Sequence, residues 1–369
     1  LNNSIAPIER GVKAMGSGAI IRENLAADEM AADQPVQFAL KMRNFEELRS
    51  RIERGEILSV EEMKGRYLPT AESWEKVAAW AKSQGLIVHE DSTHLGVACH
   101  GTVQQVANTL HARFARVIGT DGREYTSAVS APSVPTELAD SMVSVTGIQP
   151  HLRPHRRQVT ISQPTSWTVS PTTIAQYYNA TDLGLTGAGE TIVIFGGSKV
   201  NTSDLTTFWT KCGLPTTLAQ FQEVDPFPNN LGPASVSAEE TMDIEWASAM
   251  APGAKILYFS SIDPTTFANW LYTQLATDHS IHQVTISFSL PEAIHKGITG
   301  VVFADTQAYA ALAAVGVSVF VASGDAGSTS EIITLPNNEG WTLGSWYYDP
   351  NGITTPEYPA SDPFVTGVG

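Results

Sequence analysis

All 13 arginines of this 369-residue chain lie at or before Arg157, together with 5 of its 9 lysines. Residues 1–157 hold 18 basic and 19 acidic groups, a net of −1, whereas residues 158–369 hold 4 lysines, no arginine and 19 acids, a net of −15. A break this sharp predicts two domains. A domain nearly empty of bases suits acid, because its carboxylates lose their charge at low pH and few cations remain to repel one another. The same composition also serves acidic solubility at neutral pH. Over the whole chain Lys+Arg is 22 against Asp+Glu 38, which argues against a surface built to neutralise the phosphates of nucleic acid.

The seam between the halves reads His151-Leu-Arg-Pro-His-Arg-Arg157 followed by Gln163-Pro-Thr-Ser-Trp167, a basic, proline-interrupted stretch expected in an exposed linker. The predicted divisions are a first domain over 1–157, a linker over 158–167 and a second domain over 168–369. In the first, strands are expected at 36–42, 86–89 and 95–99, helices at 44–56, 71–84 and 103–114, and a hairpin at 115–127 turning at Thr120-Asp121-Gly122. That order implies a split βαβ, ferredoxin-like α+β sandwich. The second domain alternates strands at 191–195, 255–260, 284–289, 317–322 and 364–368 with helices at 203–212, 238–250, 265–277 and 302–314. Such alternation predicts an α/β fold whose parallel sheet has helices on both faces and its chemistry at the strands' carboxyl ends.

Several chemistries fall away on context. The longest uncharged apolar stretch, 308–322, is split by Gly316 and is shorter than the roughly 20 residues of a membrane span. No GxxxxGK[ST] occurs, and the glycines of Gly184-Leu-Thr-Gly187-Ala-Gly189 precede a strand instead of joining strand to helix. Cys99 and Cys212 lie in different domains and read as two unlinked buried thiols. Sequons at Asn2, Asn179 and Asn201 permit a secreted, glycosylated protein. Asp91-Ser-Thr and His100-Gly-Thr mimic subtilisin motifs, but lie nine residues apart across a predicted hairpin of the small domain, and chance explains them. Pro154 breaks the helical spacing of His151 and His155, so no metal site is expected.

Two segments carry candidate chemistry. In Ser237-Ala-Glu239-Glu240-Thr-Met-Asp243-Ile-Glu245, Ser237 and Glu240 match a capping box. Glu239 and Asp243 then share one helix face, about 6 Å apart at Cβ. Two carboxylates so placed tend to share a proton at moderately acid pH, where an ionised member can act as a general base. The pattern equally fits a solvated acidic turn favoured by the helix dipole. The second segment, Ser323-Gly-Asp325-Ala-Gly327, places an acid at a strand's carboxyl end, where it reads as a site residue or as a simple turn.

Together with Phe208-Trp-Thr-Lys-Cys-Gly-Leu-Pro215, Gly187-Ala-Gly-Glu-Thr-Ile-Val-Ile194 and Tyr358-Pro-Ala-Ser-Asp-Pro-Phe-Val-Thr-Gly-Val-Gly369, these segments resemble the sedolisin family of serine-carboxyl peptidases. The small domain resembles that family's activation pro-domain through His100-Gly-Thr-Val-Gln-Gln-Val106 and Val134-Pro-Thr-Glu-Leu138. The resemblance implies a subtilisin-like catalytic domain preceded by a pro-domain that inhibits it intramolecularly. It further implies protein or peptide substrates and a secreted or otherwise acidic setting. By that resemblance Glu239 takes the proton from a serine, Asp243 orients Glu239, and a protonated Asp325 helps form the oxyanion hole.

The family's substrate-cleft strand reads Ser-x-Ser-Trp-Gly. Here Ser287, Phe288 and Ser289 stand in that place, with Phe288 for the tryptophan and Ser289 for the glycine. The family's nucleophile lies in a Gly-Thr-Ser segment downstream of the part matched here, and its calcium ligands lie further still, beyond Gly369. The expectation is therefore the N-terminal part of a zymogen, with an incomplete sheet and no peptide hydrolysis by this stretch alone. A sedolisin-like binding protein without catalysis, or a truncated fragment, is the alternative.

Overall fold

The computed structural model describes residues 1–6, 8–10, 18–119, 123–152, 169–181, 183–225, 238–260, 263–275, 278–292, 298–324 and 355–369. The expected linker over 158–167, the hairpin turn at 120–122 and Asp325 lie outside these residues.

The first domain opens with β1 (Glu9–Arg10), β2 (Ala19–Arg22), α1 (Ala27–Ala31) and β3 (Asp33–Leu40). Three helices follow, α2 (Phe45–Glu53), α3 (Val60–Arg66) and α4 (Ala71–Ser83), then β4 (Ile87–Val88) and β5 (Gly96–Thr102). The domain closes with α5 (Val103–Leu110), β6 (Phe114–Ile118), β7 (Glu124–Ala128), α6 (Thr136–Ala139) and β8 (Met142–Thr146). Hydroxyls set the helix starts: Ser59, Thr70 and Thr102 accept from the amides of Glu62, Ser73 and Gln105. The helix expected over 103–114 stops at Leu110, because His111 takes a left-handed backbone (φ 47°) and Phe114 already begins a strand. The helix α3 and strand β8 were not legible in the sequence.

Strands β4, β5, β3 and β8 form one antiparallel sheet in that order, which in chain order is second, third, first, fourth. This is the ferredoxin-like arrangement. One face carries Val36, Phe38, Val97, Cys99 and Val145, packed with Trp74, Val77 and Ala81 of α4 and Val103, Val106 and Leu110 of α5. Cys99 is buried and Cys212 only half-buried, and neither is in a disulfide.

The second domain runs α7 (Pro171–Tyr177), β9 (Thr191–Gly196), α8 (Thr202–Lys211), β10 (Phe221–Val224) and α9 (Ala238–Met250). It continues with β11 (Lys255–Ser260), α10 (Pro264–Leu275), β12 (Ile281–Ile286) and β13 (Leu290–Pro291). The last elements are α11 (Thr299–Ala314), β14 (Ser318–Ala322), β15 (Glu357–Tyr358) and β16 (Thr366–Val368). Six strands pair in parallel in the order β10-β11-β9-β12-β14-β16. Counted within the domain that order is 2-3-1-4-5-6, a subtilisin-like parallel sheet. Chain direction across the sheet reverses between β9 and β12, and such a reversal opens a crevice at the carboxyl ends of those two strands.

Both faces are covered, and alternation within each strand assigns side chains to one or the other. Val193, Phe195, Leu257 and Phe259 pack with α10 and α11, while Ile194, Ile256 and Tyr258 pack with Leu205 and Trp209 of α8 and Ile244 of α9. The helix α11 is apolar nearly all round because it is covered on two sides, by this sheet and by the first domain. Gly316 (φ 84°) stops the chain there and turns it into β14. Among the described residues no helix is long and apolar enough to cross a membrane.

The free face of the ferredoxin-like sheet docks on α10 and α11. Gln307 is buried and bridges to the end of β3, its Oε1 accepting from Met42 N (2.8 Å) and its Nε2 donating to Leu40 O (3.0 Å). Thr266 donates to Gln37 (2.8 Å), and Leu58 N donates to Ala314 O (2.8 Å). Leu48, Leu58, Met63 and Tyr67 share one core with Leu271, Ala311 and Leu312, so α2 and α3 belong to the docking surface as much as the sheet does.

Beside this seam, burial and then the charges of Asp263 and Asp362 push the Asp305 carboxyl well above its usual range. Burial raises Asp362 as well. A carboxyl whose pKa is higher folded than unfolded adds stability below its unfolded pKa and loses it as pH rises through the folded value. The contribution of these two carboxyls is therefore expected to favour the fold in acid and to fade toward neutrality. Thermal melts should show Asp305→Asn gaining about 2–4 °C at pH 7, the shift that about 1 kcal/mol gives a domain of this size, with little change at pH 4. Equal effects at both pH values would contradict this origin.

Candidate active site

The helix α9 begins beside the crevice and carries four acids in seven positions: Glu239, Glu240, Asp243 and Glu245. Glu240 and Ile244 are buried, whereas Glu239 and Asp243, one turn apart, are half-buried. Glu240, read from the sequence as the capping-box partner of Ser237, makes a contact to β9. Its Oε1 accepts from Gly197 N (3.2 Å) just past β9, which ties the first turn of α9 to that strand end. The approach is close enough that a Cβ on Gly196 would lie 2.6 Å from Glu240 Cγ, so any other residue there would displace the Glu240 side chain. Ser237 lies outside the described residues.

The other side of the crevice is the end of β12. Val284, Ile286 and Phe288 point into the core under α10 and α11, which turns Thr285 and Ser287 to the α9 side. Ser287 Oγ donates to Asp243 Oδ1 at 3.1 Å, joining two of the expected site residues across 44 positions. Phe288 is buried, its ring edge-on to Phe195 at 5.2 Å, and Ser289 is buried behind it. Beyond them β13 pairs antiparallel with β15, bringing Glu357 and Tyr358 alongside. Past β14, Ser323 N donates to Val368 O (2.7 Å), and Asp325, two residues on, lies outside the described residues.

Glu245 belongs to the quoted motif but was given no role by the sequence. Burial, reinforced by Asp204 of α8, raises its carboxyl to about 7. Only the packing of α8 on α9 creates that environment, so no local pattern foretold it. The decoy motifs of the small domain separate as expected. The Asp91 carboxylate is consumed by the amides of Thr93, His94 and Gly96 and the Thr93 hydroxyl, and His100 pairs with His89 at 2.8 Å. Among the described residues no group of three or more His, Cys, Asp or Glu is placed to hold a metal, so no calcium ligand is assigned here.

A carboxylate pair at a switch-point crevice, with a docked ferredoxin-like domain, can be set against known proteins. Residues 21–151 match the family model described as Pro-kumamolisin, activation domain. The chain is 28% identical to kumamolisin of Bacillus sp. (strain MN-32) over 316 residues, covering 81% of this chain and 53% of that protein. It is 24% identical to xanthomonalisin of Xanthomonas sp. (strain T-22) over 388 residues, covering 94% of this chain and 46% of that protein. It is 26% identical to tripeptidyl-peptidase 1 of Mus musculus over 364 residues, covering 90% and 60% respectively. The chain thus spans about half the length of the relatives it matches. With a match to the pro-kumamolisin activation domain over 21–151 and similarity that continues into the second domain, the chain is similar to the sedolisin family.

Proposed function

We propose that this chain is the pro-domain and the N-terminal catalytic part of an acid-active serine-carboxyl endopeptidase. The observation that carries the reading is the placement of Glu239 and Asp243 one turn apart on α9, at the crevice between β9 and β12. In this reading the nucleophile belongs to the family's Gly-Thr-Ser segment, downstream of the part matched here. Its hydroxyl oxygen attacks the peptide carbonyl carbon while its proton passes to the Glu239 carboxylate. Asp243 holds Glu239 in line, and protonated Asp325 donates to the oxyanion that forms. Glu239 then returns the proton to the leaving amine, and water releases the acyl group by the same steps in reverse order of roles. A carboxylate is the fitting base in acid, where an imidazole would already be protonated.

The docked first domain is the intramolecular inhibitor in this reading, released by cleavage near the basic linker. The setting is extracellular or another acidic compartment, and calcium remains an expectation of the family with ligands beyond Gly369. The test uses the full-length protein with a denatured protein substrate between pH 3 and 7. Cleavage confined to acid, indifferent to pepstatin and lowered about 10²–10³-fold by Asp325→Ala, is the expected result. Full activity in Asp325→Ala removes the oxyanion assignment. No cleavage by the unaltered protein would leave a binding protein that kept the fold.

A further inference from the structure

We propose that Ser287 is a positioning residue for the carboxylate pair, its hydroxyl fixing Asp243 so that Asp243 can hold Glu239. This rests on the peptidase reading and adds a component to it. The contact is Ser287 Oγ to Asp243 Oδ1, 3.1 Å, between the first residue past β12 and the second turn of α9. Neither end of that bond is loose. Ile286 and Phe288, on either side of Ser287, are both buried in the core beneath α10 and α11, and Phe288 is wedged edge-on against Phe195. The backbone of Ser287 is therefore pinned, and the period-two alternation of the strand leaves its side chain one direction, toward α9. At the other end, α9 is tied to β9 through Glu240 and Gly197.

A hydroxyl donor on Oδ1 does two things for a carboxyl. It fixes the carboxyl plane, which commits Oδ2 to the exchange with Glu239. It also favours the charged form, lowering the pH at which the pair takes up its second proton. Among the described residues, the charged groups neighbouring Asp243 along its own helix are acids. On α9 they are Glu239 and Glu240, and Glu245 faces Asp204 of α8. Past β9, Lys199 is held by Asp225 (2.6 Å) and Glu223 (3.6 Å). The helix α7, which packs on α9, carries no charged side chain. A neutral donor is thus what the site offers this carboxyl from β12.

The experiment compares Ser287→Ala and Ser287→Thr with the unaltered protein by two readouts. In the 369-residue chain, a ¹³C-carboxyl titration of Asp243 and Glu239 needs no turnover. Ser287→Ala is expected to raise the pair's apparent pKa values by about one unit, and Ser287→Thr, which keeps the hydroxyl, to restore them. In the full-length peptidase, Ser287→Ala should lower kcat about 10-fold, leave KM within about 3-fold, and move the acid limb of the pH profile upward by the same unit. An unchanged titration overturns the proposal, as does a loss confined to KM, which would make Ser287 a substrate contact. Failure of the peptidase reading looks different: unaltered protein without cleavage, or full activity in Glu239→Ala, while the titration still decides the role of the hydroxyl.

Discussion

Glu239→Ala and Asp243→Ala are each expected to lower kcat of the full-length protein in acid by about 10⁴-fold, and the double variant to fall little further. In the proposed mechanism the two side chains form one proton-handling unit, so removing either member removes what both accomplish. Glu239→Gln is the sharper test, since the amide keeps the shape of the side chain and loses only its basicity. Folding should survive every one of these changes. Both residues are half-buried, and deleting one of two neighbouring carboxylates relieves repulsion without opening a core cavity. Urea midpoints equal to or above that of the unaltered protein, beside collapsed kcat, would establish that the loss is chemical. Activity within about tenfold of normal in Glu239→Gln would remove Glu239 as the base.

Gln307→Ala is expected to have the largest effect on stability. Its amide is buried between the domains and satisfies the Met42 N–H and the Leu40 carbonyl at the end of β3. Truncation strands both backbone groups away from water and leaves a gap in the seam. At about 1–3 kcal/mol for each orphaned group, the loss should total about 2–6 kcal/mol in urea unfolding. Gln307→Glu is a useful companion, since it keeps an acceptor for Met42 and loses the donor to Leu40. Faster proteolysis of the first domain should accompany the loss, because the first consequence is weaker docking. An unchanged urea midpoint would show that the apolar seam from Leu58 to Leu312 holds the domains together without this bridge.

Much of the fold is legible because each domain obeys a local period. The alternating strands and punctuating glycines of the second domain predicted a parallel sheet, and residues 308–322 read as helix, Gly316 stop and strand, as they are. The charge partition at Arg157 led to the reading of two domains for a physical reason: surface chemistry is set domain by domain, even where, as at α2 and α3, part of the core is shared across the seam. What failed locally were elements that owe their existence to docking. The helix α3 is seven residues long and is held by Met63 packing into the shared core, a contact no window of sequence contains. His111 ended α5 by adopting a left-handed backbone that its residue type only tolerates.

The site divides in the same way. Helical spacing put Glu239 and Asp243 on one face, and strand alternation put Thr285 and Ser287 on the side opposite Ile286 and Phe288, both without reference to anything distant. That Glu240 ties α9 to β9, that Glu245 sits beside Asp204 with a raised pKa, and that the Ser287 hydroxyl reaches Asp243 were decided only when β9, β12 and α9 met at the switch point of the sheet. Periodicity is fixed by the backbone of one segment and is therefore written in that segment. Burial, partner and charge environment depend on segments tens of residues apart arriving at one place, and only the tertiary structure brings them there.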